Sequence, residues 1–228
     1  MPSREGKVAM SNETTNPVVK WILIGICVVS LCVVGAFVLL GTYPAGEYRV
    51  AGKLQKRGFE VKYVRQGNNI WQYSISVIGS DLSVTEDDCQ LICQLPRLQY
   101  LVFQRCDLLG LNLDDIGNCQ ELMNFYCEDV TQLSVDEVRK LSACPVHMFI
   151  FRNAGLNDPD LEDFAKWTKL GYVDLENNTG ITDAGFEHLE KITSLRYLGL
   201  AGTSVSKESA EEFQKKHPAV RVQLSPLR

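Results

Sequence analysis

The chain has 228 residues and a formal net charge of −5, and 45% of its residues are hydrophobic. This apolar content, together with only 17 glycines and 8 prolines, excludes the disordered and collagen-like classes. Residues 67–228 carry 14 basic and 24 acidic side chains. They therefore lack the basic surface of a general nucleic-acid-binding protein, and we expect no nucleic-acid partner.

The amino-terminal part contains one long apolar segment. Residues 1–20 are rich in Ser, Asn and Thr, and we expect a disordered tail there. Of the twenty positions from Trp21 to Leu40, 17 are hydrophobic and none is charged, and a helix from Trp21 to Gly41 would extend about 31 Å, enough to span a bilayer. The sequence therefore predicts a transmembrane helix over residues 21–43 and a single-pass membrane protein. Basic residues flank both ends of the segment, so the side of the membrane that holds the remaining chain stays open.

Residues 44–73 are predicted to form a cap made of a short helix and a β-hairpin. The helix is expected over Val50 to Arg57. Phe59 to Val64 and Ile70 to Val77 are rich in β-branched and aromatic residues, and Gln66-Gly-Asn-Asn69 between them is a turn signal. The second strand is expected to serve also as the strand of an irregular first repeat.

A repeat of 24 residues follows. The pattern L-x-x-L-x-L-x-x-N/C-x-L starts at positions 98, 122, 146, 170 and 195, at spacings of 24, 24, 24 and 25. The second half of each unit has apolar residues at i, i+3 and i+6, such as Cys89, Ile92 and Leu95, which predicts one face of a short helix. Each helical half is preceded by a residue that can cap a helix. These residues are Thr85, Ser134, Asn157, Thr182 and Ser206.

The run from Gly180 to Ser206, GITDAGFEHLEKITSLRYLGLAGTSVS, resembles a leucine-rich repeat of the short T-D-x-G-L kind. Such repeats are common in membrane-anchored bacterial proteins, especially of the planctomycete type. The resemblance covers residues 74–224 and implies an α/β solenoid with parallel strands on the concave face and short helices on the convex face. Residues 225–228 are left as a tail. The resemblance implies a binding role and no particular ligand.

No catalytic or metal-binding motif accompanies the repeats. The chain lacks G-x-S-x-G, H-E-x-x-H and P-loop sequences, and Asp158 and Asp160 favour helix capping over acid–base catalysis. The cysteine spacings fit zinc poorly. We therefore expect a non-catalytic protein with no cofactor and no metal. Five cysteines fall on inward positions of the repeat, and Cys93 is expected to be partly exposed. The five are Cys89, Cys106, Cys119, Cys127 and Cys144.

The candidate site is the concave face, where alternate strand residues align in columns. The first column holds several tyrosines, and the second is partly aliphatic. Aromatic and methionine side chains aligned on an exposed surface favour a protein or peptide partner. The predicted contact residues are Tyr100, Val102, Tyr126, Met148, Ile150, Tyr172, Asp174 and Tyr197.

Three alternatives remain at this point. Tyrosine, valine and isoleucine favour strands whether or not they bind anything. The repeats could instead pack side by side as a structural component of the cell envelope. An enzyme with an unrecognised site is the third and least favoured reading.

Overall fold

A computed structural model describes residues 45–66, 73–130 and 133–225. Residues 1–44 lie outside the described residues, and Ala45–Arg228, the second unit of the chain, is compact. The predicted disordered tail and transmembrane helix fall within residues 1–44 and so lie outside the described residues. Within the described ranges, no helix combines the length and apolar character that crossing a membrane requires.

The strands of the second unit lie in one sheet in chain order. The first two strands pair antiparallel, and every later neighbouring pair is parallel. Apart from Ile75 and Leu98 at the start of β2, the parallel pairs align residues 24 or 25 positions apart, which is the spacing of the sequence repeat. The strands are β1 (Glu60–Arg65), β2 (Tyr73–Ser80), β3 (Leu98–Gln104), β4 (Asn124–Glu128), β5 (Met148–Arg152), β6 (Tyr172–Asp174), β7 (Tyr197–Gly199) and β8 (Arg221–Gln223).

Helical segments connect the parallel strands, and several of them are 3-10 rather than α-helical. An i, i+3, i+6 apolar pattern fits the 3.0 residues per turn of a 3-10 helix, so the inward positions are those predicted although the helix type differs. The α-helices are α1 (Ala45–Lys56), α2 (Glu86–Cys93), α3 (Val135–Lys140), α4 (Phe186–Leu189) and α5 (Lys207–Lys216). The 3-10 helices span Ile116–Asn118, Leu141–Ala143, Asp158–Lys166 and Asp183–Gly185.

The core lies between the sheet and these helical segments. Phe125 and Phe149 occupy the same inward position of β4 and β5, and Phe103 lies at the next inward position of β3. Neighbouring ring centroids in this row are 6.2 and 6.0 Å apart. Trp167 packs edge-on against Phe149 at 5.0 Å. All of these side chains are buried. Hydrophobic burial of this repeated set is what holds one repeat on the next.

Polar residues fix where each repeat turns. The five predicted capping residues all stand at helix N-caps, and Thr85 forms a capping box with Asp88. After each strand from β2 to β6, one non-glycine residue adopts a positive φ, and these residues recur every 24 positions. They are Asp81, Arg105, Asp129, Asn153 and Asn177.

The amino-terminal cap consists of α1 and the β1–β2 hairpin. Leu54 of α1 and Phe59 are buried, and the Tyr73 hydroxyl donates a hydrogen bond of 2.6 Å to the buried carboxylate of Glu47. Burial, followed by this hydrogen bond, raises the pKa of Tyr73. The cap therefore closes the end of the core with a satisfied polar contact.

Candidate interaction surface

The concave face is the sheet face that the helical segments leave uncovered, and three columns of side chains cross it. In each strand the residues between the buried positions point to this face because strand side chains alternate. The register aligns Tyr100 with Asn124 and Val102 with Tyr126, and the same pairing continues through β5, β6 and β7. The columns are thus continuous across the parallel strands.

The first column is mostly aromatic. Tyr100 at one end is 41% exposed, whereas Met148, Tyr172 and Tyr197 are half-buried. The rings of Tyr172 and Tyr197 stack with their centroids 4.1 Å apart and their planes 7° from parallel. Burial and the neighbouring Tyr172 hydroxyl raise the pKa of Tyr197. Stacking of this kind holds both rings in one orientation and leaves their outer edges facing solvent.

The second column combines aliphatic side chains with one polar end. Val102, Tyr126 and Ile150 are half-buried and form an apolar row beside Met148 of the first column. Asp174 follows in the same row but is only 1% exposed. A partner on this face would therefore meet Val102, Tyr126 and Ile150 directly, and would not meet the Asp174 carboxylate.

The third column supplies the polar partners of the second. Glu128 Oε2 accepts hydrogen bonds from the Tyr126 hydroxyl at 2.5 Å and from Gln104 Nε2 at 2.8 Å. Burial, and then the bond to Glu128, raises the pKa of Tyr126. The Tyr126 hydroxyl is thus already hydrogen-bonded within the protein, and Tyr126 presents mainly its aromatic ring to a partner.

A salt-bridge group lies at the centre of the face. Arg152 Nη2 is 2.5 Å from Asp174 Oδ2, and Arg152 Nε is 3.3 Å from Glu176 Oε2. The hydrogen bond to Asp174 raises the pKa of Arg152. The Arg152 side chain is 20% exposed and that of Asp174 is 2% exposed, so the guanidinium covers the carboxylate.

Gly199 continues the column beside this group because no side chain fits there. A Cβ atom built on Gly199 would lie 2.7 Å from Asp174 Oδ1 and 3.3 Å from the Tyr197 ring. The charged group is therefore enclosed on its β7 side. Together, Arg152, Asp174 and Glu176 form an ion-paired polar centre with a formal charge of −1 next to the aromatic column.

All eight predicted contact residues lie in the first two columns. The third-column residues Gln104, Glu128, Arg152 and Glu176 were not among them, although they orient Tyr126 and cover Asp174. Their sequence signal is the same 24-residue spacing, which aligns them as closely as the tyrosines. Aligned polar residues do not by themselves indicate a binding site, because polar residues are also usual on the solvent-facing side of a strand.

The other candidates from the sequence have structural partners. Asp160 accepts a hydrogen bond from the Asn157 amide at 2.8 Å, which is a capping contact. Asp158 accepts from the amide and hydroxyl of Thr182 in the next repeat, at 2.8 and 2.6 Å. Within residues 45–66, 73–130 and 133–225, no group of three or more His, Cys, Asp or Glu side chains is arranged to hold a metal ion.

The strand register and the repeated core define the class of protein. A sheet of parallel strands at 24- or 25-residue intervals, each followed by a short helical return, is a leucine-rich-repeat fold with an α/β solenoid architecture. This assignment rests on the chain's own register and packing.

Comparisons with known proteins give similarities of fold. No protein-family model and no curated protein sequence matches the chain. Among solved structures, a leucine-rich-repeat protein of Leptospira interrogans is similar at 19% identity over 62% of this chain and 35% of that protein, with a TM-score of 0.43. An internalin (inlF) of Listeria monocytogenes is similar at 13% identity over 64% of this chain and 52% of its own, with a TM-score of 0.39. Internalin C2 of the same organism is similar at 14% identity over 81% and 86% of the two chains, with a TM-score of 0.41. The chain thus spans about a third of the Leptospira protein and half of inlF.

Proposed function

We propose that this protein is a non-catalytic, membrane-anchored leucine-rich-repeat protein that binds another protein or peptide through its concave face. The observation that supports the proposal most is the adjacency of three side chains on successive strands: Met148 pairs with Tyr172 in the first column, and Tyr126 lies on the strand beside Met148 in the second column. Strand propensity accounts for each residue singly, but it does not require them to fall beside one another on the open face.

The chemistry of the face favours a partner with apolar side chains and backbone polar groups. Half-buried aromatic and aliphatic side chains supply contact area that loses little conformational entropy on binding. Arg152 is already paired with Asp174 and Glu176, so the centre of the face offers no free cation and these three side chains sum to a formal charge of −1. Recognition by an anionic ligand is therefore disfavoured relative to a mainly apolar protein surface.

The anchor in this proposal is the apolar segment from Trp21 to Gly41, which is long enough to span a bilayer as one helix. The finer resemblance to planctomycete-type membrane-anchored repeats belongs to the same proposal and rests on the Gly180 to Ser206 motif. Extraction of membrane fractions with alkaline carbonate tests the anchor. An integral protein stays in the membrane pellet, and release into the soluble fraction would contradict anchoring.

The concave face is tested by replacing Tyr126, Met148 and Tyr172 together by serine. We expect the full chain to keep its far-UV circular dichroism spectrum and to lose co-purification with its partner from native membranes. The matched control replaces Tyr48 and Leu109, which are 48% and 66% exposed and lie off this face, by serine. This control should retain the partner.

Unchanged co-purification by the triple variant would contradict concave-face binding. If, in addition, the protein is abundant in membrane fractions and self-associates, the side-by-side structural alternative would be preferred. An equal loss in the control would show that exposed apolar area in general, and not this face, holds the partner.

A further inference from the structure

Two cysteines on the convex side lie close together although they are distant in sequence. The Sγ atoms of Cys93 and Cys119 are 3.4 Å apart across 26 residues of chain. Cys93 is the last residue of α2, and Cys119 ends the 3-10 helix Ile116–Asn118. The contact between their thiols is therefore a contact between the helical segments of two adjacent repeats.

One member of this pair, Cys93, is more exposed than the other cysteines of the described residues. Cys93 is half-buried and Cys119 is 9% exposed, so a small oxidant can approach them from the surface. Cys127, by contrast, lies fully in the core, where burial raises its pKa. Reaction as a nucleophile needs both access and a thiolate.

We propose that Cys93 and Cys119 are a redox-active dithiol that a peroxide converts to a disulfide between adjacent repeats. One thiolate attacks the peroxide O–O bond and becomes a sulfenic acid, with release of water or an alcohol. The second thiolate then attacks the sulfenic sulfur, which forms the S–S bond and releases a second water. The two sulfurs together lose two electrons, and the peroxide gains them.

The geometry requires only a small movement. An S–S bond is about 2.05 Å long, so the sulfurs must approach by about 1.4 Å from their present contact. Both cysteines stand at the ends of helical segments, where the backbone adjusts more readily than inside a helix. The hydrogen bond between the two thiols lowers the pKa of Cys119, and the same bond, together with burial, raises the pKa of Cys93. Cys119 is therefore the thiol of the pair that ionises first.

The bond would lock one end of the solenoid. The chain between the two cysteines includes β3, which carries Tyr100 and Val102, and closing this segment restricts the unfolded chain. This inference is independent of the proposed concave-face function because the thiols lie on the opposite side of the sheet. Loss of partner binding in the serine variants would leave it unaffected.

The test uses the full chain, purified under reductant in detergent micelles. After removal of the reductant, the protein is treated with equimolar hydrogen peroxide, free thiols are blocked with N-ethylmaleimide, and the digest is mapped by mass spectrometry. We expect a peptide linked through Cys93 and Cys119, with loss of the Cys93 thiol about tenfold faster than loss of the Cys127 thiol. The oxidised form should melt about 5 °C or more above the reduced form.

Variants separate a specific pair from general oxidation. Cys119→Ser should abolish the linked peptide, whereas Cys89→Ala, four residues before Cys93 on α2, should leave the linkage intact. If a variant fails to fold, peptide mapping of the wild-type chain still shows whether Cys93 and Cys119 form a disulfide. Both thiols remaining open to N-ethylmaleimide, a linkage between other cysteines, or sulfinic acid at Cys93 of the wild-type protein would each overturn the proposal.

Discussion

Replacement of Asn178 by alanine should be among the most destabilising single changes in the repeat domain. Asn178 is 1% exposed, and its side chain bridges two repeats. Its Oδ1 accepts from the amides of Ala154 and Leu156, both at 3.1 Å. Its Nδ2 donates to the carbonyls of Phe151 and Leu175 at 2.6 and 2.8 Å.

Alanine at position 178 would leave four backbone groups without these partners. At about 1 kcal/mol for each lost bond, the expected loss in the free energy of unfolding is about 4 kcal/mol. A domain of this kind is stable by roughly 5–15 kcal/mol in total, so the variant would lose a large fraction of its stability. The cost arises because the backbone stays buried after the side chain is removed.

Urea unfolding of the full chain in detergent micelles, followed by far-UV circular dichroism, measures this loss. Thr203 supplies the matched control, since it occupies the same template position one repeat later. It donates one hydrogen bond of 2.7 Å to the Leu200 carbonyl and accepts a long one from Val205. Thr203→Ala should therefore cost only about 1 kcal/mol. A cost for Asn178→Ala no greater than that of the control would refute the reasoning.

Two further predictions concern the concave face. Gly199→Ala should destabilise the domain by about 1–3 kcal/mol because its Cβ would overlap the Asp174 carboxylate. Gly171→Ala, whose Cβ would stand 3.5 Å from its nearest neighbour, should cost less, and equal urea midpoints for the two would contradict the close packing. The free energy of unfolding should also fall as pH rises above about 10. The pKa of Tyr126 and of Tyr197 is raised in the folded chain, so both hydroxyls stay neutral there at a pH at which they ionise in the unfolded chain. Tyr126→Phe should make the decline in urea midpoint between pH 9 and pH 11 shallower, and an unchanged decline would count against burial as its cause.

The strand positions and the inward residues were predictable from the sequence because they recur with a fixed period. A shift of one residue in any strand would have placed a buried Phe or Leu on the open face, so the apolar pattern determines the register. The capping residues were predictable for a related reason, since Thr85 and Asp88 form a local motif with a fixed spacing.

Other features depend on contacts that the period does not encode. The i, i+3, i+6 pattern fits both helix types over one or two turns, so it did not distinguish 3-10 from α-helix. The separation between Cys93 and Cys119 is 26 residues, not 24, and aligned columns therefore do not bring them together. The burial of Asp174 depends on how Arg152 folds over it from the neighbouring strand.

A photo-crosslinking amino acid placed singly at Met148 or at Glu162 tests the central claim most directly. Met148 lies at the centre of the concave face, and Glu162 is exposed on the 3-10 helix Asp158–Lys166 on the convex side. Irradiation of native membranes should give one defined adduct from position 148 and none from position 162. An adduct from position 162 alone, or from neither position under conditions where the wild-type chain retains its partner, would contradict binding through the concave face.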